Sequence, residues 1–275
     1  MSVAAAGCWQ DGDPRDALGP DLADAVSGDG IIDTIEGRWR LRVKLVNAGG
    51  LVTVLPAPTT PDATRVYLRP DSLWLLRLVW DRCPGGDAAA DLGTGSGLLA
   101  AALASRFHRV VATDIEPVCV RYAAATLAVN RAPGRSTRVI ATDAGSGLRS
   151  GAFDVVAANP PWMPVRLGPV EDGERPQVWA YGGERGSEIP LRFIDDAVRL
   201  LAPGGTAVVL CLATSWADGA APLNERVASL RASGFAVDVV ASEGLVTLAG
   251  LEWLCANVDG LVSARHVAVM ITRPA

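Results

Sequence analysis

The stretch that most constrains the fold is Asp91-Leu-Gly-Thr-Gly-Ser-Gly97, with three glycines at alternate positions. It stands between a short apolar run, 88–92, and an alanine-leucine segment, 98–106. Glycines so placed let a backbone turn tightly and approach a ligand with no Cβ in the way. The run before them predicts a strand and the segment after them a helix. The alternation then continues. Strands are predicted over 109–113, 138–141, 154–158, 206–212, 235–240 and 266–272. Helices are predicted over 117–130, with proline in the first turn, over 187–201, stopped by Pro203-Gly204-Gly205, and over 222–233, with Gly234 as C-cap. Repeated strand–helix units predict the α/β class: a Rossmann-like, seven-stranded, mainly parallel sheet with helices on both faces.

The N-terminal part reads differently. Residues 1–30 mix Asp11, Asp13, Asp16, Asp21, Asp24 and Asp29 with glycine and proline, which favours turns and a loose lead-in. Over 37–46, Trp39, Leu41, Val43 and Leu45 alternate with Arg38, Arg40, Arg42 and Lys44, the pattern of one half-buried strand. Asn47-Ala-Gly-Gly50 is a turn signal and 51–55 a returning strand, so a β-hairpin is expected. After a linker at 56–64, residues 71–80 predict a helix capped by Asp71 or Ser72, with Leu73, Leu76, Val79 and Trp80 at helical spacing. The expected organisation is a lead-in over 1–30, a hairpin-and-helix extension over 31–82 and the α/β domain over 83–275. Two further segments are candidate walls of a site: the Pro- and Gly-rich loop between Trp162 and Ser187, and 242–263, where Trp253 and Cys255 are expected in the core.

Composition removes several alternatives. With 275 residues, 49% hydrophobic and 20% charged, the chain can bury a sizeable core. No apolar run nears the roughly 18 residues of a membrane span, and the first 29 residues lack the pattern of a secretory signal. Five dispersed cysteines without a Cys-x-x-Cys pair read as reduced thiols in a cytoplasmic protein, with no zinc site. A net charge of −5 and a pI near 5.1 lean against a phosphate-gripping surface. Arg38, Arg40, Arg42 and Lys44 could touch an anion, but a solvated strand face is the favoured reading. His108, in a helix-to-strand turn, and His266, at a strand start, are expected to be structural.

Two constellations carry chemistry. The glycine loop is followed, 23 residues on from Asp91, by Asp114 at the end of the second strand, where a carboxylate can accept hydrogen bonds from ribose hydroxyls. A nicotinamide dinucleotide uses similar logic, yet its third glycine is replaced here by Leu98, and Asp91, two places before Gly93, suits an ammonium group better than a pyrophosphate. The second constellation is Asn159-Pro-Pro-Trp162, ending the fourth strand. Its prolines fix the backbone and remove two donors, leaving carbonyl oxygens. The Asn adds an acceptor and the Trp a stacking face. The Asn159 oxygen and the Pro160 carbonyl can accept both hydrogens of a planar amino group, relocalising a lone pair that conjugation makes a poor nucleophile.

With these motifs in place, the sequence resembles the class I S-adenosylmethionine-dependent methyltransferases. Within them it resembles the Asn-Pro-Pro-aromatic enzymes that methylate adenine N6, cytosine N4, guanine N2 or the glutamine N5 of release factors. Val66-Tyr-Leu-Arg-Pro-Asp-Ser72 and Tyr181-Gly-Gly-Glu-Arg-Gly186 are similar to segments of the glutamine branch. The resemblance runs over about 64–213. It departs at Trp162, where Tyr or Phe is usual, and over 1–55, where that branch has a helical domain. The resemblance implies S-adenosyl-L-methionine as cofactor, held by Asp91, Gly93, Thr94, Gly95 and Gly97, by Asp114 and Ile115, by Asp143 and Ala144 near the adenine, and beside Asn159. It implies Asn159, Pro160 and Trp162 as catalytic residues. Pro161 and Trp162, with Trp179 and Tyr181 from the following loop, would face the substrate. A protein glutamine and a small molecule rank together as acceptors. A nucleic-acid base and a non-catalytic cofactor-binding protein are the alternatives.

Overall fold

The computed structural model describes residues 10–18, 23, 31–57, 65–66, 68–131, 133–164, 180–242 and 248–275. At the N-terminal end lie β1 (Gln10–Asp11), α1 (Pro14–Leu18), β2 (Ile32–Ile35), β3 (Arg38–Leu41), β4 (Val43–Ala48), β5 (Leu51–Pro56) and α2 (Pro70–Arg82). The α/β part comprises β6 (Gly86–Leu92), α3 (Leu98–Ala104), β7 (Phe107–Asp114), α4 (Pro117–Val129), β8 (Ser136–Ala141), β9 (Phe153–Ala158), α5 (Glu188–Leu200), β10 (Leu201–Trp216), α6 (Pro222–Ala232), β11 (Ala236–Ala241), α7 (Leu248–Asn257) and β12 (Leu261–Thr272).

Seven strands form one sheet in the order β11-β12-β10-β9-β6-β7-β8. Only β12 opposes the rest, pairing antiparallel with β10 and β11; the pairs from β10 to β8 are parallel. This is the α/β sheet the alternation predicts. Strand order reverses between β6 and β9, the switch point at which open α/β sheets bind ligands. Period-2 geometry sends alternate side chains to opposite faces. Ala88, Ala90 and Leu92 join a core with Phe193 and Ile194 of α5 and Val227 of α6. Ala89 joins the opposite core with Leu75 and Leu78 of α2 and Leu99 and Leu103 of α3.

The expected hairpin is present as β4 and β5, in register from Val43↔Pro56 to Ala48↔Leu51. It packs on α4, where Val54 joins Trp39, Val118 and Tyr122 in a third core. Thr126 of α4 and Asn130, its C-cap, cover the free edge of β5. The Val54 amide donates to Thr126 Oγ1 at 3.0 Å, the Val52 amide donates to Asn130 Oδ1 at 3.0 Å, and Asn130 Nδ2 returns a bond to the Val52 carbonyl at 2.7 Å. An edge so capped cannot template another strand.

Several expectations are corrected. The single strand over 37–46 is broken at Arg42: β3 pairs with β1 and β2 in a separate three-stranded sheet, while β4 pairs with β5. Arg42 spends its amide on Ile31 and its carbonyl on Ala57, so the ladder cannot continue through it. Leu45 is therefore exposed although it sits in the apolar register. The lead-in is not all turns, since 10–18 hold β1 and α1; residues 1–9, 19–22 and 24–30 lie outside the described residues. Arg69, not Asp71 or Ser72, is the N-cap of α2, because Pro70 takes the first helical position. The buried face of α2 is Leu75, Leu78 and Val79, while Leu73 and Trp80 are exposed. Residues 242–263 contain α7, and Trp253, expected in the core, is 52% exposed. Three members of the basic row are paired locally: Arg38 with Asp11 at 3.0 Å, and Arg40 and Arg42 with Asp33 at 2.7 and 3.5 Å.

Candidate active site at two neighbouring strand ends

The glycine loop is built by contacts within its own strand–turn–helix. All three glycines are left-handed, with φ of 67°, 53° and 78° at Gly93, Gly95 and Gly97. The reason for Gly97 is steric as well. A Cβ there would fall 2.6 Å from Ala123 Cα, so the glycine permits α3 and α4 to close on each other. Asp91 is 2% exposed, and its Oδ2 accepts from Thr94 Oγ1 at 2.6 Å and from the Ala100 amide at 3.0 Å. Burial pushes its carboxyl up to about 7, against the pull of those two bonds, with a smaller upward push from Asp114. Asp114 clamps the loop to the end of β7: the Gly95 amide donates to Oδ2 and the Glu116 amide to Oδ1, each at 2.9 Å. Burial raises the Asp114 carboxyl too, while its backbone donors oppose the rise.

The tetrapeptide leaves β9 directly beside that loop, since Leu92 and Ala158 are register partners. Asn159 Nδ2 donates to Asp71 Oδ2 at 3.3 Å and Ser72 Oγ at 3.4 Å, both from the first turn of α2. The chain after the tetrapeptide is held by 180–186. Met163 bridges Tyr181, with the Met163 amide on the Ala180 carbonyl at 2.8 Å and the Gly182 amide on the Met163 carbonyl at 2.9 Å. A Cβ on Gly182 would sit 2.6 Å from Trp162 Cα, so only glycine lets this segment lie against the tetrapeptide.

Trp162 stands 4.9 Å from the His266 ring, centroid to centroid, and Trp74 of α2 stands 5.6 Å from the same ring on a separate contact. His266 is mid-strand and 1% exposed, and its Nδ1 lies 2.9 Å from Ser242 Oγ. Burial lowers its pKa, partly offset by Asp71. The imidazole thus packs against both indoles from the middle of β12, not from the strand start expected for it. Trp162 and Met163 also pack on a cluster of Trp216, Leu254 and Leu261, which brings α7 to the site.

The structure thus brings Asp91, Gly93, Thr94, Gly95, Gly97 and Asp114 together on β6 and β7, and sets Asn159, Pro160, Pro161 and Trp162 next to them, with Tyr181 against the tetrapeptide's exit. Ile115, beside Asp114, is 56% exposed. Asp143 is engaged by Arg192 through two bonds of 2.9 and 2.8 Å, and Ala144, buried, follows in a left-handed turn. Trp179 lies outside the described residues. Sequence reasoning missed Asp71, Ser72 and Trp74 as members of the site. The Arg69-Pro70 pair that starts their helix was the available signal.

Residues 73–166 match the family Methyltransferase small domain. The chain is 30% identical over 184 residues to a release factor glutamine methyltransferase of Deinococcus radiodurans, covering 64% of each chain. It is 30% identical over 160 residues to a 4-amino-L-phenylalanine/4-methylamino-L-phenylalanine methyltransferase of Streptomyces pristinaespiralis, covering 56% of this chain and 52% of that one. The chain therefore spans between half and two thirds of the length of these relatives. The crystal structure of wild-type Trm5b from Pyrococcus abyssi has the same fold, with a TM-score of 0.57 at 16% identity over 88% of this chain and 62% of that one. The glycine loop and the tetrapeptide lie inside the matched stretch, while Asp71 and Ser72 fall just before it. Among the described residues no helix is long and apolar enough to cross a membrane, and no group of three or more His, Cys, Asp or Glu is arranged to hold a metal. The four described cysteines are free.

Proposed function

We propose that the chain transfers a methyl group from S-adenosyl-L-methionine to an amino nitrogen, either of a protein glutamine or of a small molecule bearing a planar amino group. The observation that carries this reading is the emergence of Asn159-Pro-Pro-Trp162 from β9 beside Gly93 emerging from β6, one strand spacing away. An acceptor clamp and a cofactor loop so placed can hold a nucleophile and an electrophile side by side.

The residues fit that cofactor. Asp91 is a buried carboxylate whose raised pKa marks a site short of positive charge, which the ammonium of the cofactor would supply. Asp114, fixed by two backbone donors, keeps lone pairs for ribose hydroxyls. Ile115 would lie on the adenine, and Asp143 and Ala144 would face its edge. When bound, the cofactor supplies an electrophilic methyl group on a sulfonium.

The remaining chemistry belongs to the chain. The Asn159 oxygen and the Pro160 carbonyl accept the two hydrogens of the incoming amino group and turn its lone pair outward. As the nitrogen gains a fourth bond it becomes cationic, and both oxygens stabilise that charge until a proton is shed. Trp162, with Pro161, provides the face on which a planar group lies. Tyr181 and Trp179 would complete the substrate side. The names of the two relatives give a release-factor glutamine and 4-amino- and 4-methylamino-L-phenylalanine, and in each the acceptor nitrogen stands on a planar group, which supports the shared class. A nucleic-acid base is disfavoured by the acidic pI and by the local pairing of Arg38, Arg40 and Arg42. The test is transfer of label from methyl-tritiated cofactor to 4-amino-L-phenylalanine and to a glutamine-bearing peptide. Label on neither acceptor overturns the acceptor class.

A further inference from the structure

Asn159 can perform the chemistry above only if its amide oxygen, and not its nitrogen, meets the substrate. The side chain of an asparagine can rotate by half a turn about its last bond, and nothing in its shape chooses between the two ends. The choice must come from its neighbours.

We infer that Asp71 and Ser72 are positioning residues that lock the Asn159 amide with its oxygen toward the substrate. The inference rests on the amino-methylation reading, and it gives two residues outside the matched family stretch a part in that site. The argument is chemical. The atom of Asn159 that faces Asp71 Oδ2 at 3.3 Å must be the nitrogen, because a carboxylate oxygen is an acceptor only; an amide oxygen at that distance would be repelled. Ser72 Oγ, 3.4 Å from the same nitrogen, gives it a second acceptor. With the –NH2 engaged on α2, Oδ1 is the only end of the side chain left for another group.

The placement of Asp71 is not incidental to helix geometry. Asp71 is 5% exposed, a burial rare for a carboxylate in the first turn of a helix; its Oδ1 accepts from the Ser72 amide at 2.9 Å, and its other oxygen, Oδ2, is the one that meets Asn159. Pro70 takes the first helical position, and Asp71, the next residue, sets Oδ2 against Asn159 where the chain leaves β9. The carboxylate also acts through the amide. An anion on the –NH2 end draws positive charge toward it and leaves Oδ1 more negative, because hydrogen bonds in series polarise one another. A more negative Oδ1 is a better acceptor for an amino group acquiring positive charge. The same two residues thus set the direction and the strength of the acceptor. The helix that precedes the sheet is therefore part of the catalytic apparatus, without touching substrate.

The test has two arms, both on the full chain. The first is independent of any acceptor. Selective 15N labelling of asparagine gives five side-chain –NH2 pairs, from Asn47, Asn130, Asn159, Asn224 and Asn257, and the Asn159 pair is assigned by its loss in Asn159→Ala. In Asp71→Ala this pair is expected to shift and to exchange faster with water, while the other four stay. The second arm measures kcat, KM and S-adenosylhomocysteine affinity with 4-amino-L-phenylalanine and a glutamine-bearing peptide as probes. Asp71→Ala is expected to lower kcat by about tenfold or more, with KM and S-adenosylhomocysteine affinity within about twofold. Asp71→Asn, whose amide oxygen still accepts, should return kcat to within about threefold of the parent. Ser72→Ala, a change that removes one oxygen and leaves the helix intact, should give a smaller loss and a smaller shift of the same resonance, and it decides the matter if Asp71→Ala does not fold. An unmoved Asn159 pair overturns the inference. So does a kcat equal to the parent's, or a parallel fall of kcat, affinity and melting temperature that Asp71→Asn does not rescue. A parent that methylates neither probe sinks the acceptor class alone, while the resonance of Asn159 still decides whether Asp71 holds it.

Discussion

Leu92 and Ala158 are register partners on adjacent parallel strands, so Gly93 and Asn159, the next residues of each, leave the sheet side by side. Everything the site can do follows from that pairing. One strand delivers a backbone loop free of side chains, and its neighbour delivers a rigid pair of acceptors. The switch point between them supplies the crevice.

The Asp91 carboxyl gives a pH signature. Its folded-state value, raised to about 7, exceeds the 3.8 of the free group, so the folded chain holds a proton where the unfolded chain has lost it. This contribution to stability is fully present below about 3.8 and is lost as pH rises through about 7. A cationic ligand reverses the balance by favouring the ionised form. Binding of S-adenosylhomocysteine, which carries the same ammonium, should therefore release a proton at pH 6 and tighten as pH rises to 7.5. Calorimetry in two buffers of different ionisation enthalpy reads this directly, and Asp91→Asn should abolish the buffer dependence.

Asp114→Ala should weaken S-adenosylhomocysteine binding by about 1.5–3 kcal/mol, because it removes a charged acceptor and also frees the Gly95 amide that holds the loop in place. Titration calorimetry on the folded variant measures the loss. A variant that binds as the parent does would remove Asp114 from the cofactor site.

Gly97→Ala should destabilise the fold by about 2–4 kcal/mol in urea unfolding. The added Cβ meets Ala123 Cα at 2.6 Å and the residue must keep a left-handed φ of 78°. Gly182→Ala meets Trp162 Cα at the same 2.6 Å but lies in the substrate-side segment. Its effect is expected mainly on kcat, with a melting temperature closer to the parent's than that of Gly97→Ala.

Most of the sheet was legible because its information is local. The run Ala88-Ala-Ala-Asp-Leu92 and the glycines behind it specify strand, turn and helix without reference to distant residues, and the predicted motif residues accordingly meet at the strand ends. What was not legible depends on tertiary partners. The break at Arg42 requires knowing that its amide goes to Ile31. The exposure of Trp80 and Trp253 depends on which helix face the sheet covers, and both indoles fit apolar patterns that turned out to face solvent. Asp71 looked like a cap because Asp is a common cap, but Pro70 makes Arg69 the N-cap, and the contact of Asp71 with Asn159, 88 residues on, has no local signal.

Nucleic-acid binding should be absent at physiological salt. A filter-binding titration with duplex and single-stranded DNA and RNA at two salt concentrations checks this, since phosphate contacts would give a log–log slope of about −0.9 per contact on duplex DNA. Sub-micromolar, salt-sensitive binding that Arg40→Glu and Arg42→Glu abolish would move a base to the first rank of acceptors.

The proposed reaction depends on Asn159 presenting an amino nitrogen for methylation. It is tested most directly by incubating parent and Asn159→Ala with cofactor and 4-amino-L-phenylalanine or a glutamine-bearing peptide, and locating the new methyl group by fragmentation mass spectrometry. Methyl is expected on nitrogen with the parent, and with Asn159→Ala a kcat lower by about a hundredfold at unchanged S-adenosylhomocysteine affinity. Methyl found on carbon or oxygen, or a variant that turns over as fast as the parent, would contradict it.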